Sequence, residues 1–183
     1  FGLTAIKNVG ANIVHAIIEN RAQAGPFQTL VSFLTRIQHK DLNKKSLESL
    51  IKCGALDLLG SERNRMLFNI DEILKFNSFI RKEQKSQQAG LFEATSGNSL
   101  LKLKEVERAK PEEKLAWEKE LLGLYITDHP LTRLKEKIQN VKAKPIGEIL
   151  ANSNESQIFR IAGLISEIKR VITKNGKPML FAK

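Results

Sequence analysis

The sequence predicts a mostly α-helical chain: two helix pairs joined by glycine turns, a helical connector, and a terminal β-hairpin. Three observations carry this expectation. Apolar residues recur at spacings of three and four from Ile6 to Ile80, and again after Pro111. Gly10 and Gly54 interrupt that pattern at equivalent points of two successive cycles. From Gln157 the period shortens to two, and Asn175-Gly176 separates two runs rich in branched and aromatic residues.

In AIKNVGANIVHAIIENR, Ala5 to Arg21, the residues Ile6, Val9, Ile13, Val14, Ile17 and Ile18 mark the end of one helix and the body of a second. Gly10 is expected to turn the chain between them, because glycine has no Cβ to clash. This is a helix-hairpin-helix pattern. The first N–H groups of the second helix lack intrahelical partners and carry the positive end of its dipole, so the turn suits an anion such as a phosphate. Lys7 and Asn8 lie beside it. Gly25-Pro26-Phe27 breaks the helix, and Leu30, Phe33, Leu34 and Ile37 then mark a short amphipathic helix with Thr29 as its cap.

The second cycle begins at Asn43, the expected cap of a helix through Leu47, Leu50 and Ile51. KCGALDLLG then puts Gly54 in the turn and Leu56, Leu58 and Leu59 in the core. Lys44, Lys45 and Lys52 surround this turn as Lys7 flanks the first. Approximate two-fold symmetry would set two phosphate-facing turns on one side. For isolated lysines, however, a solvated face is the commoner role.

Ser61 is the expected cap of a helix whose Met66, Leu67, Ile70, Ile73, Leu74 and Ile80 form a core stripe. Residues 83–110 read as a linker, since periodicity vanishes and the composition turns polar. Leu91-Phe92 stands out within it. Two large apolar residues in such a setting dock back onto their own domain or anchor another protein. Pro111 opens the connector, residues 111–155, with Glu112 and Glu113 near the helix's positive end. Leu115, Glu118, Leu122 and Tyr125 share a face with Leu121 beside it, and Gly123 offers a close approach to a neighbour.

Thr127-Asp128-His129-Pro130 ends that helix, and His129, with no Cys or second His nearby, reads as a turn residue and not a metal ligand. A short helix through Leu131, Leu134 and Ile138 leads to Pro145. The last segment, 156–183, is expected to hold a long first strand from Gln157, a type I′ turn at Asn175-Gly176 and a returning strand from Pro178 to Ala182. It carries six basic residues against one acidic, a net +5. A lone hairpin is marginally stable, so this segment fits the opening of a truncated oligonucleotide-binding barrel.

The whole chain, 183 residues with 30 Lys and Arg against 20 Asp and Glu, has a net charge of +10, which favours a polyanionic partner. Cys53, the single cysteine, excludes an internal disulfide framework and reads as a small buried residue. No apolar run approaches the roughly 20 residues that span a bilayer, so a soluble, reducing, cytoplasmic setting without membrane contact is expected. Asp41, Asp57, Asp71 and Asp128 are scattered on turns and helix surfaces, with no strand-borne pair to hold catalytic metal ions. Catalytic silence follows, with no cofactor and no metal site. The start at Phe1 and the stop within a strand pattern read as a piece of something larger.

Four segments, in this order, resemble the bacterial replicative DNA polymerase III alpha subunits. GLTAIKNVG with IIENR and GPF is similar to that family's first hairpin, and NKKSLESLIKCGALDLLG to its second. EKELLGLYITDHPL resembles the connector before its oligonucleotide-binding domain, and AGLISEIKRVITKNGKPMLFA the first strands of that domain. The resemblance implies a DNA-directed DNA polymerase for the whole protein and a non-catalytic piece here. That piece would hold double-stranded DNA by its backbone through Lys7, Asn8, Gly10, Asn12, Lys44, Lys45, Lys52 and Gly54. Asn12 stands where the family's turn often has a second glycine, and Asn tolerates left-handed backbone.

Gln88, Leu91 and Phe92 match the family's clamp-binding pattern Q-x-x-L-F, which implies a tether to the sliding clamp. Other replisome subunits, and single-stranded DNA at the barrel, are further implied partners. Two other readings of the residues stay open: a DNA-binding scaffold of a repair or recombination enzyme, and a structural interdomain module without DNA contact.

Overall fold

A computed structural model describes residues 2–85, 101–152 and 157–183, in two compact units that divide between Thr127 and Asp128. Gln88, Leu91 and Phe92 lie outside the described residues.

The first unit opens with a 3-10 turn, Leu3–Ala5, where the periodicity predicts the end of a helix. Helix α1 is Ala11–Ala24 and α2 is Leu30–Arg36. The Thr29 hydroxyl accepts from Ser32 N at 3.1 Å and caps α2 as expected. Helix α3 is Lys44–Lys52, where Asn43 Oδ1 accepts from Ser46 N at 3.0 Å and Ser46 Oγ accepts from Asn43 N at 3.0 Å. A 3-10 turn, Asp57–Leu59, precedes α4, Arg63–Phe68, and α5, Ile70–Lys85. Glu62, and not the expected Ser61, caps α4 by accepting from Asn64 N and Arg65 N.

These elements close one apolar core. Ile13, Val14 and Ile17 of α1 meet Leu30, Phe33 and Leu34 of α2, Leu47, Leu50 and Ile51 of α3, and Met66, Ile70 and Ile73 beyond. The predicted stripes therefore face inward as their spacing requires. Leu58 does not: it is 95% exposed, because the 3-10 turn directs Leu56 and Leu59 inward and leaves Leu58 outside. Asn77, buried in α5, donates to Leu34 O at 2.8 Å and Ile37 O at 3.1 Å, which satisfies carbonyls at the end of α2.

The segment read as linker is shorter than residues 83–110. Helix α5 runs through Lys85, and residues 101–110 are fastened along α4. Asn69 donates to Lys104 O at 3.0 Å and accepts from Lys104 N at 2.9 Å, while Arg65 Nη2 donates to Leu103 O at 3.0 Å. Leu101 and Leu103 pack on the core. Helix α6, Pro111–Leu122, belongs to the same unit and contributes Leu121 to the core. Gly123, with φ of 76°, ends it in the left-handed region, with nothing within 4 Å of a would-be Cβ. Its role is to stop the helix and not to admit a neighbour.

The second unit has a 3-10 turn, Thr132–Leu134, then α7, Lys135–Asn140, over the short helix expected through Leu131, Leu134 and Ile138, and α8, Ile146–Asn152, which falls within the expected helical connector without having been singled out. His129 Nδ1 accepts from Leu131 N at 3.2 Å within the turn. Strands β1, Ile168–Ile172, and β2, Pro178–Ala182, pair antiparallel with Ile168 opposite Ala182. The ladder is thus shorter than a strand from Gln157 would give: β1 begins at Ile168, and before it Ser166 N donates to Lys183 O at 2.8 Å.

The loop also differs from a type I′ turn, which needs positive φ at both central residues. Here only Gly176 has one, at 71°. Thr173 O accepts from Gly176 N at 2.9 Å, and Thr173 N donates to Lys177 O at 2.9 Å, giving a three-residue loop closed by a left-handed glycine.

The two turn glycines differ in their tolerance of a side chain. Gly54 has φ of 82°, and a Cβ there would collide with the Arg63 guanidinium, whose central carbon would lie 2.9 Å away. Gly10 has φ of −73° and open space around it. Gly54→Ala is expected to cost at least about 2 kcal/mol of unfolding free energy, and Gly10→Ala less than about 1 kcal/mol. Urea titrations of the two variants check this, and equal losses would contradict the two backbone assignments.

Candidate nucleic-acid interface

The first turn is built differently from its sequence expectation. Asn8, with φ of 67°, takes the left-handed conformation, and Gly10 is the extended N-cap of α1. Asn12 lies inside the first turn of α1 in ordinary helical geometry, where its amide donates to Asp41 Oδ2 at 3.4 Å. The left-handed residue is therefore Asn8, one of the few residue types that adopts that region at modest cost.

The donors that this turn leaves open belong to α1. Its first N–H groups have no intrahelical partner by geometry, and the N-cap is a glycine with no side chain to accept from them. Helices α2, α3 and α4 each have a side-chain cap, from Thr29, Asn43 and Glu62. Gly10 is exposed, so the positive end of a 14-residue helix meets solvent beside the exposed Lys7.

The second turn follows another plan. Ala55 N donates to Leu50 O and Gly54 N to Ile51 O, both at 3.0 Å, so its first donors close the end of α3. A 3-10 turn and not a helix comes next, and its Asp57 and Leu59 N–H groups are bonded internally. The two turns are thus not equivalent anion sites, and approximate symmetry does not extend to their free N–H groups.

The lysines divide in the same way. Lys44 Nζ pairs with Asp71 at 2.8 Å. Lys52 Nζ pairs with Glu48 at 2.6 Å and lies 6.0 Å from the centre of the Trp117 ring. Lys7 and Lys45 are exposed, and neither ammonium is given a carboxylate among the described residues. Asn8 Nδ2 donates to Ser49 Oγ at 3.3 Å, and Lys45 stands one helical turn before Ser49 on α3. The structure therefore brings Asn8 and Lys45 to one region. It turns Lys44 toward α5 and Lys52 toward α6.

Sequence reasoning missed the group that holds the second turn. Arg63, 3% exposed, donates through Nε and Nη2 to Asp57 at 2.7 to 3.1 Å, through Nη1 to Lys52 O at 3.0 Å, and to Glu118 Oε1 at 3.1 Å. Glu118 is fully buried and also accepts from Ile126 N at 2.8 Å, Thr127 N at 2.9 Å and the Thr127 hydroxyl. Burial pushes its carboxyl up, but the Thr127 hydroxyl, the Thr127 and Ile126 amides and Arg63 outweigh it and hold the group below its ordinary value. The signal was a lone glutamate on the apolar face of Leu115 and Leu122, which demands a buried cation.

Burial likewise raises the Cys53 thiol, which is 8% exposed and donates to Leu50 O. Among the described residues no group of three His, Cys, Asp or Glu could hold a metal ion, and no helix is long and apolar enough to cross a membrane.

Two successive helical turns, the first opening an uncapped helix, mark a helix-hairpin-helix protein, and the family model described as the helix-hairpin-helix motif matches residues 1–66. Nearly the whole chain also aligns with DNA polymerase III subunit alpha from several bacteria. It is 32% identical to the Thermus aquaticus protein over 98% of the chain, 34% identical to the Campylobacter jejuni protein over 97%, and 33% identical to the Mycobacterium leprae protein over 100%. Over nearly its whole length the chain is similar to one segment of the DNA polymerase III alpha subunits. It spans 14%, 15% and 16% of the length of those relatives.

Because Glu118 is held below its ordinary value of 4.5, the stability it contributes is complete above that pH and is lost as pH falls through the lower folded value. Glu62 is held down in the same direction: burial pushes it up, but Lys114 and the Asn64 and Ala109 amides prevail. Melting temperature is expected to fall with pH below about 4.5, with a flatter fall for Glu118→Gln. Thermal scans from pH 6 to about 3 check this, and parallel profiles would contradict it.

Proposed function

We propose that this segment binds the sugar–phosphate backbone of double-stranded DNA, without sequence preference, as a non-catalytic part of a bacterial replicative polymerase. One observation carries the reading: α1 presents an uncapped, solvent-facing N-terminus beside the exposed Lys7, while α2, α3 and α4 are closed by side-chain caps. A phosphate there would accept from the open N–H groups and meet the favourable end of the helix dipole. Gly10, Asn8, Lys7 and Lys45 form the principal contact. Lys44, Lys52, Gly54 and Asn12 act less directly, through ion pairs and turn geometry. The DNA polymerase III alpha relatives support the setting.

Gln88, Leu91 and Phe92 are proposed to tether the polymerase to the sliding clamp. The glutamine amide would be fixed by hydrogen bonds while the leucine and phenylalanine fill apolar pockets, each burial worth roughly 1.5 to 3 kcal/mol before ordering costs. Residues 157–183 are proposed as the opening of an oligonucleotide-binding barrel that meets single-stranded DNA, and the proposed compartment is the cytoplasm.

Duplex affinity is expected to fall steeply with salt, and Lys7→Ala and Lys45→Ala should each lower the slope of log K against log salt by about 1. Lys44→Ala and Lys52→Ala should lower it by less, because those ammonium groups already have carboxylate partners. Anisotropy titrations at several salt concentrations test this, and a flat response in the wild type would favour the interdomain module instead. For the tether, Leu91→Ala with Phe92→Ala should abolish capture by the clamp in a pull-down, and undiminished capture would defeat that assignment.

A further inference from the structure

Both turns of the first unit lean on one helix that neither hairpin contains. The carbonyl of Leu121 in α6 accepts from Lys7 N at 3.0 Å, at the first turn. Glu118 of the same helix holds Arg63, which donates to Lys52 O at the end of α3 and grips Asp57 in the 3-10 turn after Gly54. Trp117 adds its ring beneath the Lys52 ammonium. One helix thus fixes the backbone of the first turn and, through a single guanidinium, both sides of the second.

We infer that α6 is a strut that sets the separation of the two turns, and that Glu118 is a positioning residue for duplex recognition although it is buried and meets no DNA. The inference rests on the phosphate-contact reading, since a fixed separation matters to affinity only if the open start of α1 at the first turn and Lys45 on α3, the helix that ends in the second turn, engage one duplex. Two weak anchors held at a matched spacing act as one bivalent site, and the advantage disappears when geometry prevents simultaneous engagement. The strut fixes that spacing before binding, so the cost of ordering it does not fall on the complex.

The sign of the effect separates this mechanism from simple charge. Removing a carboxylate makes the chain more basic and, by bulk electrostatics, tightens its hold on a polyanion. Removing the strut contact loosens it. Binding of a fluorescent duplex by the 183-residue chain at fixed salt is expected to weaken about tenfold for Glu118→Gln and about threefold for the milder Asp57→Asn. Glu120→Gln, an exposed glutamate on the same helix with the same change in charge, should cause no weakening.

Separation is read without DNA from spin labels at Ala5→Cys and Leu58→Cys in a Cys53→Ala background. A narrow distance distribution is expected, broadened by Glu118→Gln and by Asp57→Asn at a temperature where circular dichroism shows native helix content. If Glu118→Gln does not fold, Asp57→Asn alone carries both measurements. Unchanged distances would overturn the strut, and broadened distances with undiminished affinity would overturn its role in recognition. A wild-type chain that binds no duplex would instead overturn the phosphate-contact reading, leaving the labels to judge the strut by itself.

Discussion

The ion pair between Arg63 and Glu118 is the constraint on which the first unit depends. Neither charge reaches solvent, and while Arg63 also has Asp57, the Glu118 carboxylate has Arg63 as its cationic partner and depends on it. Removing one partner of such a pair costs about 3–5 kcal/mol, a large share of a small domain's stability. The pair joins residues 55 apart in sequence, and its remaining hydrogen-bonding capacity is filled by Asp57, the Lys52 carbonyl and the Ile126–Thr127 backbone. A helical hairpin, a 3-10 turn and the end of the unit therefore share one electrostatic centre. Apolar packing drives collapse onto the common core, and this centre selects among the ways α6 could sit on it.

Basic composition alone describes the candidate interface poorly. A net charge of +10 suggests many available cations, yet near the turns the lysines are sorted by local pairing. Asp71 and Glu48 occupy two of them, and surface pairing of this kind adds little to stability while it still lowers the attraction for a phosphate. Open helix donors are rarer than lysines, and they localise an anion by direction as well as by charge. The first turn has such donors and the second uses its own to close a helix, so tandem sequence similarity here produces two functionally unequal turns.

What was legible in the sequence was what short-range chemistry decides. Thr29 and Asn43 cap helices because their side chains reach an N–H three residues on, and the stripes through α1, α2 and α3 face inward because a helix repeats every 3.6 residues. Leu58 escaped because one change from helix to 3-10 geometry rotates it out of the core. Residues 101–110 looked like linker because an extended segment fastened by Asn69 and Arg65 has no period to detect. At the site, Gly10, Lys7 and Asn8 were visible as a turn, but which of them takes the left-handed conformation was not. The partner of Lys44 was hidden because Asp71 is supplied by a distant helix, whereas Glu48, four residues before Lys52 on α3, is a pairing that helical spacing alone makes legible.

The space left by the missing side chain at Gly54 has a consequence for how this sequence can drift. The Arg63 guanidinium occupies the volume that any Cβ at position 54 would need, so the two positions are free to change only together. A lineage that loses the arginine releases the glycine to the left-handed preference of its backbone alone, where Asn becomes an acceptable replacement. It also strands the glutamate at 118, which must then become neutral. Substitutions at 54, 63 and 118 are therefore expected to appear as a correlated set among relatives, whereas Gly10, with open space around it, should vary independently of all three.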